Sequence, residues 1–90
     1  MTSQDHIDFF WRPGCGFCMS LERRLKTANV PFKKFNIYES KRDRAFVKSV
    51  ANGNETVPTV RIGSVSLVNP SLEQVVKAMA HEVPHLVPAK

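Results

Sequence analysis

Two cysteines, Cys15 and Cys18, stand as Cys15-Gly16-Phe17-Cys18 directly after the apolar run Ile7-Asp8-Phe9-Phe10-Trp11 and directly before a helix-period pattern. That arrangement suits thiol-disulfide exchange. A helix that opens near Cys15 sets its sulfur over unpaired backbone N–H groups and the positive end of the helix dipole, both of which favour thiolate over thiol. Cys18 falls one turn later, and with Leu21, Leu25 and Ala28 it occupies i, i+3, i+7 and i+10, the spacing of one buried face. Cys15 is therefore expected as the exposed nucleophile and Cys18 as its sheltered partner. Lowering a thiol pKa from about 8.5 to about 5 raises the thiolate fraction at pH 7 only ~30-fold, and a Brønsted slope of ~0.4–0.5 removes a similar factor in nucleophilicity. The gain lies in leaving-group quality, so that a mixed disulfide on Cys15 passes readily to the next thiol. Three other readings compete. A zinc half-site would need two more ligands, and no second C-x-x-C or H-x3–5-H follows at zinc-finger spacing. A structural disulfide over so short a step closes a tiny loop and constrains the unfolded chain little. The pair could also be two incidental buried cysteines.

The elements that must hold this pair follow from the patterning. After the first strand, Phe17 to about Asn29 reads as a helix in which Glu22 and Lys26 can pair at i and i+4, with Pro31 as its stop. Phe32 to Ile37 reads as a second strand. Ser40 with Asp43 resembles a helix cap, Phe46, Val47, Val50 and Ala51 form the buried stripe behind it, and Asn52-Gly53 ends that helix. Val57 to Ile62, a Gly63-Ser64 turn and Val65 to Val68 read as a hairpin. Leu72, Val75, Val76, Met79 and Ala80 mark a last amphipathic helix, started either by Asn69 with Pro70 at its first position or by Ser71 with Gln74 as a capping box. Strand, helix, strand, helix, hairpin, helix is an α/β order. It predicts a thioredoxin-like fold, a four-stranded mixed sheet (βαβ then ββα) flanked by three helices, with a right-handed crossover.

Ninety residues are expected to form a single domain, 1–90, able to bury roughly two thirds of the unfolded chain's surface. The lead from Met1 to His6 is polar, and the apolar run after it is too short for a signal peptide or a membrane span. A cytoplasmic location is expected, where C-x-x-C is more often redox-active than structural, and where the sequon Asn54-Glu55-Thr56 carries no weight. The net charge of +5 gathers in residues such as Arg23, Arg24, Lys33, Lys34, Lys41 and Arg42. These mostly lie opposite apolar helix positions and read as solvated faces. No aromatic stacking platform or groove-reading helix points to nucleic acid. His81-Glu82-Val83-Pro84-His85 spells H-E-x-x-H, but Pro84 would break the helix that the zinc motif requires. A helix end with His81 favourable to the dipole is the better reading, and no metal site is expected.

The chain resembles the glutaredoxin family over nearly its whole length, through Cys15-Gly16-Phe17-Cys18, Thr56-Val57-Pro58 opening the third strand and the glycine turn before the fourth. Asn52 to Val60, together with Leu67-Val68-Asn69-Pro70-Ser71, is similar more narrowly to the mycoredoxins of mycothiol-producing bacteria. The resemblance implies a cis Val57-Pro58 bond beside the active site, which would turn the Val57 backbone outward for strand-like pairing with a ligand. From the residues alone an ordinary trans proline is equally open. Arg12 matches the basic residue three before the nucleophile in glutathione-using members, where it would hold a carboxylate or a thiolate's counter-charge. A plain surface charge is the alternative. Val68-Asn69-Pro70 replaces the Gly-Gly pair of those members, which disfavours glutathione and favours mycothiol, a thiol with sugar and inositol groups and no such carboxylate. Gly16 stands where many dithiol members carry proline, and Phe17 where thioredoxins do. Trp11 is core or pocket wall.

The resulting expectation is a disulfide reductase acting through Cys15 and Cys18, with Arg12, Gly16, Phe17, Val57, Pro58, Asn69 and Ser71 binding the thiol substrate. It has no tightly bound cofactor, takes mycothiol as co-substrate, acts on mycothiolated proteins, and depends indirectly on mycothiol disulfide reductase with NADPH. A monomer without nucleic-acid or membrane partners is expected. Two rivals are an electron donor served directly by thioredoxin reductase and an iron–sulfur module in which Cys15 of two chains joins two small thiols, the latter motivated by Gly16.

Overall fold

The computed structural model describes residues 5–88; the polar lead Met1–Gln4 and the last two residues, Ala89 and Lys90, lie outside it. Its elements are β1 (Ile7–Trp11), α1 (Gly16–Thr27), β2 (Phe32–Asn36), α2 (Lys41–Val50), β3 (Thr59–Ile62), β4 (Val65–Val68) and α3 (Leu72–Glu82), followed by a 3₁₀ turn at Pro84–Leu86. The four strands form one sheet in the order β2-β1-β3-β4, with β1 parallel to β2 and the other pairs antiparallel. This is the mixed sheet that the element order predicts.

Alternation along β1 divides the core into two layers. Phe9 points to one face and meets Phe32 edge-on at 5.6 Å, while Phe10 points to the other, stacking on Phe35 at 5.3 Å and meeting Phe46 of α2 at 4.9 Å. Asp8 shares the α2 face. Its carboxylate accepts from Arg61 Nε at 2.8 Å, and the Arg61 guanidinium lies 4.5 Å from the Phe46 ring centre. On the opposite layer Leu25 of α1, Val60 and Ile62 of β3, and Val75 and Met79 of α3 are all fully buried. Trp11 is half-buried against this core with Lys34 Nζ 4.2 Å above its ring, which favours the core reading. Lys34 also shares Glu22 with Lys26, at 3.2 Å each.

Helix ends follow local chemistry with one departure from expectation. Helix α1 stops at Thr27 because Asn29 adopts a left-handed backbone (φ 60°), which lets Val30 N–H reach Leu25 O and Asn29 N–H reach Lys26 O. This bonding pattern terminates the helix before Pro31 is reached. Asn52 (φ 56°) does the same for α2, where Gly53 N–H bonds Lys48 O. Of the two starts open for α3, Ser71 is the cap: its hydroxyl accepts Gln74 N–H and Gln74 Oε1 accepts Ser71 N–H. Ala80 is exposed rather than on the buried stripe, since Val75 and Met79 already span the contact.

Candidate active site

Strand β1 delivers the chain through Pro13 and Gly14, whose φ of 76° makes the turn, to Cys15 at the cap of α1. Cys15 has an extended backbone, and its Sγ accepts the Cys18 N–H at 3.1 Å. The sulfur therefore sits over the helix start, as the spacing predicts. On its other side the thiol donates to the Val57 carbonyl at 3.7 Å. Enclosed between helix and loop, Cys15 is only 5% exposed. The expectation of an exposed nucleophile is corrected: Val57, 42 positions away in sequence, covers the sulfur.

Cys18 is buried beneath it, and its thiol is pushed up to about 12, chiefly by burial and next by its hydrogen bond with the Cys15 sulfur. A backbone hydrogen bond from Arg12 and the Arg12 charge oppose that rise in part. Cys18 thus keeps its proton at neutral pH while lying within hydrogen-bonding reach of Cys15. Neither cysteine is in a disulfide. The guanidinium of Arg12 donates to Pro13 O at 3.3 Å.

The Val57-Pro58 bond is cis, as the resemblance implies. The segment Thr56-Val57-Pro58 belongs to no helix or strand, yet it is pinned at both ends. Thr59 Oγ1 donates to Thr56 O at 2.8 Å, and Asn69 N–H, from a left-handed backbone (φ 51°), donates to Pro58 O at 2.7 Å. Among the described residues the Val57 N–H takes no partner.

A second group lies beside the first. Phe17, Ser20 and Arg24 of α1 face Asn69, Pro70 and Ser71 across a cleft of about 100 Å³, and the Phe17 ring is 72% exposed. The structure therefore brings Cys15, Cys18, Arg12, Val57 and Pro58 into one cluster and Phe17, Asn69 and Ser71 into its neighbour. Gly16 is exposed between them, with open space where a side chain would project. Two larger grooves, about 510 Å³ between α3 and β4 and about 780 Å³ beside the end of α1, do not touch either cysteine.

Sequence reasoning missed Ser20, Arg24 and Thr59. Ser20 and Arg24 carry a weak signal, lying three and seven positions after Phe17 on one helix face. Thr59 reads as an ordinary strand residue, and nothing local marks it. The H-E-x-x-H string is dismantled as expected: α3 ends at Glu82, whose carboxylate instead accepts the N–H and hydroxyl of Ser64 at 2.9 and 2.6 Å. Those bonds hold the Glu82 carboxyl below its ordinary range. No group of three or more metal-ligating side chains occurs among the described residues, and none of the described helices is long and apolar enough to cross a membrane.

Comparison with known proteins agrees with this geometry. The glutaredoxin family model matches residues 7–67. A protein of Mycobacterium tuberculosis that carries the name glutaredoxin, found in two strains, is 37% identical over 62 residues, 68% of this chain and 74% of its own length. The solution structure of glutaredoxin from Brucella melitensis superposes with a TM-score of 0.68 at 22% identity, covering 99% of this chain and 96% of that one. The thioredoxin-like protein BC3987 superposes with a TM-score of 0.69 at 21% identity over 80% and 97% of the two chains. The four-stranded sheet with three helices is the thioredoxin-like fold.

Proposed function

The chain belongs to the glutaredoxin family, and from that premise we propose that this thiol-disulfide oxidoreductase removes mycothiol from protein mixed disulfides through Cys15. The carrying observation is the division of labour at the start of α1: a sulfur in the cap position, paired with a second thiol that holds its proton up to about 12. Thiolate is the attacking species in such exchange. Cys15 thiolate attacks the mycothiol sulfur of the mixed disulfide, the old S–S bond breaks, and the protein leaves as thiolate. A second mycothiol thiolate then attacks the Cys15–mycothiol disulfide, releasing mycothiol disulfide and restoring Cys15. NADPH supplies the two electrons that return the dimer to two thiols through a separate flavin reductase. Cys18 can instead attack Cys15 once its proton is drawn off, closing an internal disulfide and expelling mycothiol.

Mycothiol, rather than glutathione, is favoured by the β4–α3 loop. Ser71 N–H and Gln74 N–H, two donors that an anionic group would seek at the helix start, are already used by the capping box. The cleft beside it offers hydroxyl and amide groups from Ser20, Asn69 and Ser71 and an exposed aromatic face from Phe17. Those groups suit sugar hydroxyls and a ring face.

NADPH consumption on a small mixed disulfide, supplied in parallel with mycothiol and its reductase, glutathione and its reductase, or thioredoxin reductase alone, tests the proposal. Turnover with the mycothiol system and loss of it in Cys15→Ser are expected. Turnover with thioredoxin reductase alone would make the protein a direct electron donor, and silence in all three systems would point to the iron–sulfur reading.

A further inference from the structure

Thr59 is fully buried, and its hydroxyl is spent on one contact, the 2.8 Å bond to the Thr56 carbonyl. It pairs with Phe10 of β1 and Val68 of β4, in the layer that faces α2. Valine would fill the same space without a polar atom to satisfy, so packing alone does not call for threonine here. What the hydroxyl does is close a short ring of backbone around Val57, the residue whose carbonyl lies 3.7 Å from Cys15 Sγ and whose N–H takes no partner among the described residues. The opposite pin, from Asn69 to Pro58 O, fixes the far side of the loop but leaves Thr56 unsecured. We infer that Thr59 is a positioning residue, whose hydroxyl holds the Thr56-Val57 backbone at the separation from Cys15 that seats an incoming disulfide. The inference rests on the reading of Cys15 as the nucleophile.

The geometric demand is strict, because misplacement by about 1 Å in a seated pair can cost on the order of a hundredfold in rate. Removing the hydroxyl leaves Thr56 O unpaired and frees the Val57 carbonyl and N–H to move together relative to the sulfur. A small alkylating reagent needs no seat on Val57, and because Val57 covers the sulfur, loosening it should leave alkylation equal or faster, not slower. Exchange with a mixed disulfide should slow.

The experiment compares wild type with Thr59→Val and Thr59→Ser in two assays on the full chain: kcat/KM for a small mixed disulfide, and the rate of Cys15 alkylation by iodoacetamide. Thr59→Val is expected to lose about 5- to 30-fold in kcat/KM while alkylation does not slow by more than about twofold, and Thr59→Ser is expected to restore exchange. A loss below fivefold, a parallel loss in both assays, or failure of serine to restore exchange would overturn the inference. If valine prevents folding, Thr59→Ala carries the same comparison with the same thresholds. Wild type inactive on the mixed disulfide would overturn the reading of Cys15 itself, an outcome distinct from variants that match an active wild type.

Discussion

The two sulfurs at the start of α1 occupy different hydrogen-bonding roles, and that difference gives the site its direction. Cys15 Sγ accepts a backbone N–H, whereas Cys18 lies buried below it and holds its proton up to about 12. Raised above the ordinary thiol value, Cys18 stabilises the fold fully at pH values below that of an unfolded cysteine. The contribution is lost as pH rises from about 9 toward about 12, because the unfolded chain releases a proton that the folded chain retains. Urea midpoints of the reduced protein should therefore fall across that window more steeply for wild type than for Cys18→Ala; parallel slopes would contradict the assignment. The pair itself was legible in the sequence, since spacing alone sets one cysteine at a cap and the other one turn inward. The enclosure of Cys15 was not, because the group that covers it comes from Val57, 42 residues on, and no local pattern announces a contact of that range.

Single elements are held by chemistry that differs in how visible it is. The Ser71–Gln74 capping box and the Ser40–Asp43 cap, with Asp43 N–H on Ser40 Oγ at 3.2 Å, could be read from residue types at fixed spacing. The spacing predicts α1 to about Asn29 with Pro31 as its stop, but the left-handed Asn29 acts first, and asparagine signals that conformation less strongly than glycine would. Glu22 shows how a helix position gains a partner from outside its own element. Burial works to raise its carboxyl, but hydrogen bonds from Lys34 and Lys26, with their charges, outweigh this and hold it below the ordinary range. Its contribution is present above the unfolded value, about 4.3, and is lost as pH falls through the lower folded value. Both lysines are more than a third exposed, so Glu22→Gln should cost only about 0.5–1 kcal/mol at pH 7 and nothing at pH 2. Equal losses at both pH values would assign the effect to packing. A larger cost is expected at the β3–β4 turn. Gly63 has a φ of 58°, and a Cβ there would stand 2.9 Å from both Cβ and Oε1 of Glu82, the carboxylate that caps Ser64. Gly63→Ala should lower stability by about 1–3 kcal/mol in urea titration; an unchanged midpoint would show that the turn and α3 are not coupled through Glu82.

Across the whole molecule, the topology explains why residues so far apart in sequence meet. Placing β1 between β2 and β3 sets the end of the first strand, which leads to Cys15, beside the start of the third, which Val57-Pro58 directly precedes. The antiparallel β3–β4 pair returns the chain so that Asn69 reaches Pro58 O and Ser71 reaches the cleft beside Phe17. The order of elements was legible because periodicity switches cleanly between strand and helix along the chain. The split of the site into a sulfur cluster and a neighbouring cleft was not, since Phe17, Asn69 and Ser71 are expected in one thiol site with Arg12, Val57 and Pro58, and Arg24 reads from sequence only as a solvated helix position.

The most direct test therefore follows the sulfur. Cys18→Ser would be mixed with a mycothiolated protein, quenched in acid and weighed intact. The expected result is one mycothiol added to the enzyme, mapped to Cys15, with an equal amount of substrate protein released as free thiol. A disulfide joining Cys15 to the substrate protein, with free mycothiol released, would contradict the account, because Cys15 would then have attacked the wrong sulfur.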